Sequence, residues 1–548
     1  MGLTSGQERG AGALGWRPWL VLALAWFATL QVRPMLDPDE GRYAEIPREM
    51  LASGDWVTPR FDGLKYFEKP PLQYWATAGV YAGFGLSEWS SRLWSVGLAF
   101  ACLPLVFAWV AKLYGRSAAL GALAALGVSP FFLIIGHLNL LDGAFTFWLT
   151  AAVLSFALAQ TAPLQSGAER RWMLAAWALA ALAVLSKGIV VLVLAGSALI
   201  LYTLIERDAL TWRRLHLRAG LLLFALIGAP WFILVSLRNP SFPQFFFVHE
   251  HFARFLTTVH QRVEPWWFFL PLLLSGVLPW LTPLARACVN GWNEPAVAGS
   301  AGHFRPARFL LIYAGVTLAF FSASGSKLAP YILPMLPVLA ALTGAASKEP
   351  RELARMAARI GAAFVFIVAT GLLIYSARKN SFVPHEALYW ALAGVAAALG
   401  ALALSFLARA SAVAVVVGSA AGAMLAWQCL LCEYTLIPPA RSARELVTAV
   451  RPFIGAHTAL YSVGQYRETV SPYLGRTLQL AGYDGELAFG LAEEPGRRMS
   501  TDEFAARWSA GGEAVAFFDP EVWDAWRRRG LPGRVIAADN HTVAVSRL

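Results

Sequence analysis

Charge is what this 548-residue chain has least of. Asp, Glu, Lys and Arg make up 14% of it, while 57% is hydrophobic; a soluble domain carries about 25% charged residues. That deficit excludes an ordinary soluble enzyme and points to a polytopic membrane protein, with many apolar runs of about 20 residues. The runs are continuous and lack period-two alternation, which excludes a membrane β-barrel. Cysteine is also scarce, at four. Cys102 and Cys288 are isolated, and the Cys429–Cys432 pair of "CLLC" ends an apolar run, where packing is the simpler reading than redox or zinc chemistry. Neither a P-loop nor a GxGxxG occurs, so no nucleotide is indicated. A small-residue cleavage site is missing from the first apolar run, which reads as a retained anchor.

What is present is basic: the net charge is +11, with 22 Trp. Lys and Arg concentrate in short loops between spans, as a cytoplasmic-side bias predicts. Interfacial anchoring accounts for this more simply than nucleic acid, and no nucleic-acid partner is expected.

Hydropathy predicts about thirteen spans, near 18–36, 92–111, 117–137, 143–160, 172–187, 188–205, 219–238, 266–285, 309–325, 329–347, 358–376, 387–407 and 411–436. "KLYGR", "GAERR", "ERDALTWRRLHLR", "HFRPAR" and "KEPRELARMAAR" are basic and belong to the cytoplasmic side. The remaining loops then face outward, with the N-terminus inside. Residues 37–91 form a long first outer loop, in which "PPLQYWATAGVYAGFG" reads as lying along the interface. Composition changes near 437. Strand-like "AHTALYSVG", "EAVAFFD" and "TVAVSRL" and helix-like "TDEFAARWSA" and "EVWDAWRRR" predict a small α/β domain over 437–548. The expected division is therefore a membrane domain, 1–436, and this external domain.

The outward loops hold nearly all the unusual polar residues. "LDPDEGRYAEIPREM" (36–50) predicts a helix over 39–50, with acids in its first turn. Glu45 and Glu49 suit a solvated helix face; Asp39 and Glu40 are the candidates for chemistry. Tyr66, Glu68 and Lys69 precede two prolines, and Lys69 can either snorkel to lipid phosphate or hold a ligand. Asp142 in "HLNLLDGAF" is a helix N-cap or a functional acid. Lys187 in "VLSKGIV" needs an anion, either Asp142 or a phosphate. "FFFVHEHFARF" offers His249, Glu250, His251 and Arg254, with Arg254 best suited to phosphate oxygens. Lys327 and Tyr331 sit at the mouth of a further span. Arg42, Lys69, Lys187, Arg254 and Lys327 around Asp39, Glu40, Glu68 and Asp142 imply an anionic ligand, most simply a lipid phosphate, and carboxylates beside them imply chemistry.

"LDPDEGRYAEIPREMLASGDWVTPR…YFEKPPLQYW" is similar to the first external loop of bacterial aminoarabinose transferases, which modify lipid A and belong with the protein O-mannosyltransferase-like glycosyltransferases of the GT-C fold. "HLNLLDGAF", "LSKG", "FFFVHEHFARF" and "SKLAPYILP" resemble that family in the same order, covering roughly residues 20–345. The resemblance implies a GT-C fold, an undecaprenyl phosphate-linked sugar as donor and an envelope acceptor such as lipid A, in the bacterial inner membrane with the active site and the C-terminal domain periplasmic. It implies Asp39 and Asp142 as the acidic residues of the centre, to which the clustering on this face adds Glu40. Tyr66, Lys69, Arg254 and Tyr331 would bind or position the donor phosphate, with Arg42 and Lys187 nearby; Lys327 joins the phosphate-binding set from its place on the same face. It further implies a divalent ion such as Zn²⁺, for which Glu68 and His249 are the nominated ligands. The alternatives are another sugar or acceptor in the same class, and a lipid transporter. Polar residues clustered at one face, rather than at the bilayer midplane, weigh against transport.

Overall fold

The computed structural model describes residues 14–253, 264–295, 304–380, 383–407, 410–437 and 441–547. The chain divides into two units, each discontinuous in sequence: Met1–Val32 with Arg92–Pro438, and Arg33–Ser91 with Pro439–Leu548.

The first unit is helical. Among the described residues, nine helices are long and apolar enough to cross a membrane, or ten if the bent pair Arg116–Gly127 and Pro130–Gly136 is one span. The other three of the thirteen expected spans correspond to Trp16–Phe27, which has only 12 residues, to Val190–Glu206, and to Gly167–Lys187, which carries charge at both ends. The 66° bend in the broken pair has a local cause. Pro130 brings no N–H, and it forces Ser129 into extended backbone, with ψ of 109°.

Close approach between helices runs through small residues. A Cβ on Gly344 would lie 2.5 Å from both Ala118 O and Ala122 N, and one on Gly422 would lie 2.4 Å from the Ala401 Cβ. Lipid tails are as apolar as leucine, so these helices are held by contact dispersion rather than by exclusion of water.

In the second unit, the helix Asp39–Ser53 leads into a hairpin of β1 (Arg60–Phe61) and β2 (Leu64–Lys65), then the helix Leu72–Phe84. Asp62 and Gly63 connect the two strands with φ of 53° and 77°, the backbone that a two-residue hairpin turn requires. The C-terminal part is a five-stranded mixed sheet in the order β4-β3-β5-β7-β6, made of β3 (Ala459–Val463), β4 (Gln479–Ala481), β5 (Ala514–Phe518), β6 (Arg534–Ala538) and β7 (Val543–Arg547). β3 runs parallel to β4 and β5, while β7 is antiparallel to β5 and β6. Central β5 is buried at every residue, as an interior strand read as one apolar run should be. The helices Thr501–Ala510 and Pro520–Arg528 place Phe504, Trp508, Trp523 and Trp526 in one core with Phe518 and Val545.

Residues 37–91, expected within the membrane domain, group instead with the C-terminal part. Their polar partners explain this. Asp37 accepts from Thr469 N (2.8 Å) and from Arg467 Nε (3.0 Å), and Asp62 Oδ1 accepts from Leu478 N (2.8 Å) and Ser471 Oγ (3.1 Å). Arg60 and Lys65 pair with Glu494 and Glu493. A Cβ on Gly41 would stand 2.5 Å from the Glu468 carbonyl carbon, so two backbones touch there.

Candidate functional site

Each unit holds its own cluster of the residues singled out in the sequence. In the helical unit, the centre is Asp142. The helix Leu141–Thr161 begins one residue earlier, after extended Leu140, so Asp142 lies inside the first turn and is not the N-cap. Lys187 closes the helix Gly167–Lys187, where Gly188 (φ 94°) turns the chain away. The two side chains form an ion pair with little exposure. Each charge also sits at the helix end whose dipole favours it. The Lys187 ammonium lies 4.7 Å from the Tyr331 ring centre and 5.1 Å from that of Phe145, so it is caged by aromatic faces as well. Tyr331 belongs to the 3₁₀ turn Ala329–Ile332. Lys327 is buried, and its Nζ donates to Ser324 O (2.6 Å).

"FFFVHEHFARF" contributes to a π-helix, Gln244–Ala253. Such wide turns are frequent at functional sites. His249 has a half-exposed ring stacked on Phe245, and its Nδ1 lies 3.3 Å from Oε1 of buried Glu250. Arg254 lies outside the described residues, and so does the His251 side chain.

In the second unit, the helix Asp39–Ser53 displays an ion triplet. Arg42 Nη1 donates to Asp39 Oδ1 (2.7 Å), while Nε and Nη2 donate to Glu486 Oε1 (3.2 Å) and Oε2 (2.5 Å). Arg42 is buried, whereas the Asp39 side chain is 44% exposed and open to a ligand. Arg42 was expected beside the donor phosphate; its fork is occupied by carboxylates. Burial would lower the Arg42 pKa, but Tyr66, Glu486 and Asp39 outweigh it and hold the group well above the usual range. Burial pushes the Glu486 carboxyl up, opposed by Arg42.

The Tyr66 ring lies 5.9 Å from the Arg42 guanidinium carbon. Its hydroxyl is buried without a hydrogen-bond partner among the described residues, and burial raises its pKa well above the ordinary value. Lys69 Nζ donates to Glu68 O (2.9 Å). Glu40, expected in the catalytic set, accepts from Arg33 Nη1 (2.8 Å) and Nη2 (3.1 Å) and from Leu36 N (3.0 Å), a clamp on the entry to the helix.

Glu45 and Glu49 are a correction. Neither lies on a solvated face: both are buried. Glu45 pairs with Arg48, and Glu49 Oε2 accepts from Gly63 N (2.8 Å). The helix is covered on that side by the hairpin and by the C-terminal part, which no pattern within residues 36–50 announces. Glu486 was also missed. Its partner is 444 residues away in sequence, and "DGEL" carries no motif.

Among the described residues, no group of three or more His, Cys, Asp or Glu side chains is placed to hold a metal ion. The Zn²⁺ ligand set of about four donors is therefore not assembled among the described residues.

A bundle of membrane-spanning helices, with an acid and a lysine paired at helix ends and a small mixed-sheet module beside an acidic helix, defines the class: a polytopic membrane glycosyltransferase of the GT-C fold. Residues 20–246 match the family described as dolichyl-phosphate-mannose-protein mannosyltransferase, and residues 446–547 match the aminoarabinose transferase C-terminal domain. The chain belongs to the undecaprenyl phosphate-α-4-amino-4-deoxy-L-arabinose arabinosyl transferase family. It is 32% identical to a member from Sodalis glossinidius, over 98% of each chain, and 34% identical to one from Aeromonas salmonicida, over 69% of each. The crystal structure of ArnT from Cupriavidus metallidurans bound to undecaprenyl phosphate superimposes with a TM-score of 0.84 at 34% identity, covering 96% of this chain and 97% of that one.

Proposed function

We propose that the chain transfers 4-amino-4-deoxy-L-arabinose from an undecaprenyl phosphate carrier to a phosphate of lipid A. The observation that carries this is the near full-length likeness, in sequence and structure, to arabinosyl transferases that include one crystallised with undecaprenyl phosphate. An oxygen of the acceptor phosphate attacks the anomeric carbon, and the bond from that carbon to the carrier phosphate breaks. The electron pair leaves with undecaprenyl phosphate. Negative charge grows on this leaving group, and fixed cations lower the barrier by stabilising it. Lys69, Lys187, Arg254 and Lys327 are the cations assigned to that role, with Tyr66 and Tyr331 as hydroxyl donors. An acceptor phosphate is already ionised, so Asp39 orients the sugar amine and supports the positive charge that develops at the sugar ring. Asp142 holds Lys187 in place.

The active face and the C-terminal module are assigned to the periplasmic side of the inner membrane, with the N-terminus cytoplasmic. The basic loops "KLYGR", "GAERR" and "HFRPAR" support this orientation. The test is a transfer assay with the purified chain, an undecaprenyl phosphate-linked aminoarabinose donor and lipid A. Release of undecaprenyl phosphate should depend on lipid A. Transfer to a hydroxyl-bearing acceptor, with lipid A inert, would move the chain to another substrate of the same class.

A further inference from the structure

We infer that Glu486, in the C-terminal module, is a positioning residue for the transfer reaction: it grips Arg42 and so fixes the orientation and the charge of Asp39. The inference rests on the reading of Asp39 as a catalytic group, and it gives the C-terminal module a direct part in the chemistry.

The geometry separates three tasks among three side chains. Asp39, in the first turn of its helix, is open to a ligand. Arg42, one turn further along, is buried and reaches back to Asp39 through Nη1 alone, at 2.7 Å. A single bond to a long side chain leaves the acceptor free to swing. Glu486 removes that freedom by taking both Nε and Nη2, at 3.2 and 2.5 Å, a two-point contact that sets the plane of the guanidinium. Glu486 itself sits in the short turn Gly485–Leu487, where the Tyr483 ring lies directly beneath Gly485. The grip is therefore built by residues of the module.

Charge leads to the same assignment. An unpaired buried guanidinium beside Asp39 would neutralise its carboxylate, weakening its hold on a sugar amine or a developing cation. Glu486 balances Arg42, so Asp39 presents its charge to the ligand. The other titratable groups around Arg42 and Glu486 are Tyr43, Tyr66, Glu68, Tyr74, Glu468 and Tyr483. None of them takes Nε or Nη2.

The test compares Glu486→Gln, Glu486→Asp and Asp39→Asn in the purified full-length chain, with steady-state rates measured from pH 4 to pH 9. Glutamine keeps the shape and one acceptor but removes the charge. The expected result is a kcat about 10- to 100-fold lower, as a small misplacement costs, with KM for the donor little changed. Glutamine also removes a negative charge from the site, so the acid limb of the rate profile moves to lower pH. Glu486→Asp keeps the charge and should restore the wild-type acid limb, with a partial rate. A purely structural role would lower the amount of active protein without moving that limb. Wild-type kcat and an unmoved limb in Glu486→Gln, with Asp39→Asn inactive, would overturn the role of Glu486 alone. Full activity in Asp39→Asn would instead overturn the reading of Asp39. If Glu486→Gln fails to fold, the Glu486→Asp profile decides: an acid limb unlike wild type contradicts the charge argument.

Discussion

At the scale of single residues, ion pairs held out of water dominate the account. Asp142 and Lys187 are each nearly enclosed, and each is tolerable only because the other is there. Removing one member leaves an uncompensated charge, which costs about 3–5 kcal/mol in a buried site. Lys187→Met should therefore lower the thermal midpoint of the detergent-solubilised protein sharply. The double variant Lys187→Met/Asp142→Asn should recover most of the loss, which a pair of independent surface charges would not do. Asp39→Asn makes the opposite prediction, because its side chain is half-open and no buried charge is stranded outright. Its thermal midpoint should change little, while the transfer rate falls about 10²- to 10⁴-fold, the range that a lost electrostatic stabiliser gives.

At the scale of elements, the helix Asp39–Ser53 behaves as part of the C-terminal module. Gly41 is the point of closest approach: an added Cβ would meet the Glu468 and Thr469 backbone at 2.5 to 2.7 Å, where nothing can rotate away. Gly41→Ala should cost about 1–3 kcal/mol through overpacking and should lower the rate, because Asp39 is two residues away. Gly79, in the helix Leu72–Phe84, faces open space, and Gly79→Ala serves as the control, neutral or slightly stabilising.

Two carboxyls packed around the helix Asp39–Ser53 carry a pH dependence. Burial lifts the Asp62 carboxyl to about 7, and burial lifts that of Glu468 to about 8. Both folded-state values lie above those of the unfolded chain, so the folded state binds the extra protons. The stability they contribute is complete below about pH 4 and is lost as pH rises through 7 and 8. The thermal midpoint should fall from about pH 4 to about pH 8 and level off above. Asp62→Asn, which mimics the protonated acid, should flatten the fall by an amount on the order of 4 kcal/mol.

Much of this scale was legible in the sequence. The α/β tail showed three of its five strands and both longer helices, because each is a local apolar pattern bounded by turn residues. β4 has three residues, and β6 is an exposed edge, so neither carries enough pattern to be read. The Asp62–Gly63 turn did carry a signal, since Asp-Gly between Phe61 and Leu64 is a hairpin marker.

At the scale of the whole chain, membrane character and family were legible because they rest on composition and on short motifs in fixed order. The units were not. Both are discontinuous, and the contacts that assign residues 33–91 to the C-terminal module join positions more than 400 apart. No local periodicity reports such pairing, which is why Glu486, Arg467 and the burial of Glu45 came only with the structure. The central claim remains the transfer of aminoarabinose to lipid A, and it is tested most directly in a Gram-negative host lacking its own aminoarabinose transferase but supplied with the donor. Mass spectrometry of lipid A from that host should show aminoarabinose when the wild-type chain is expressed and none with Asp39→Asn. Lipid A that stays unmodified in the presence of well-folded wild-type protein would contradict the account.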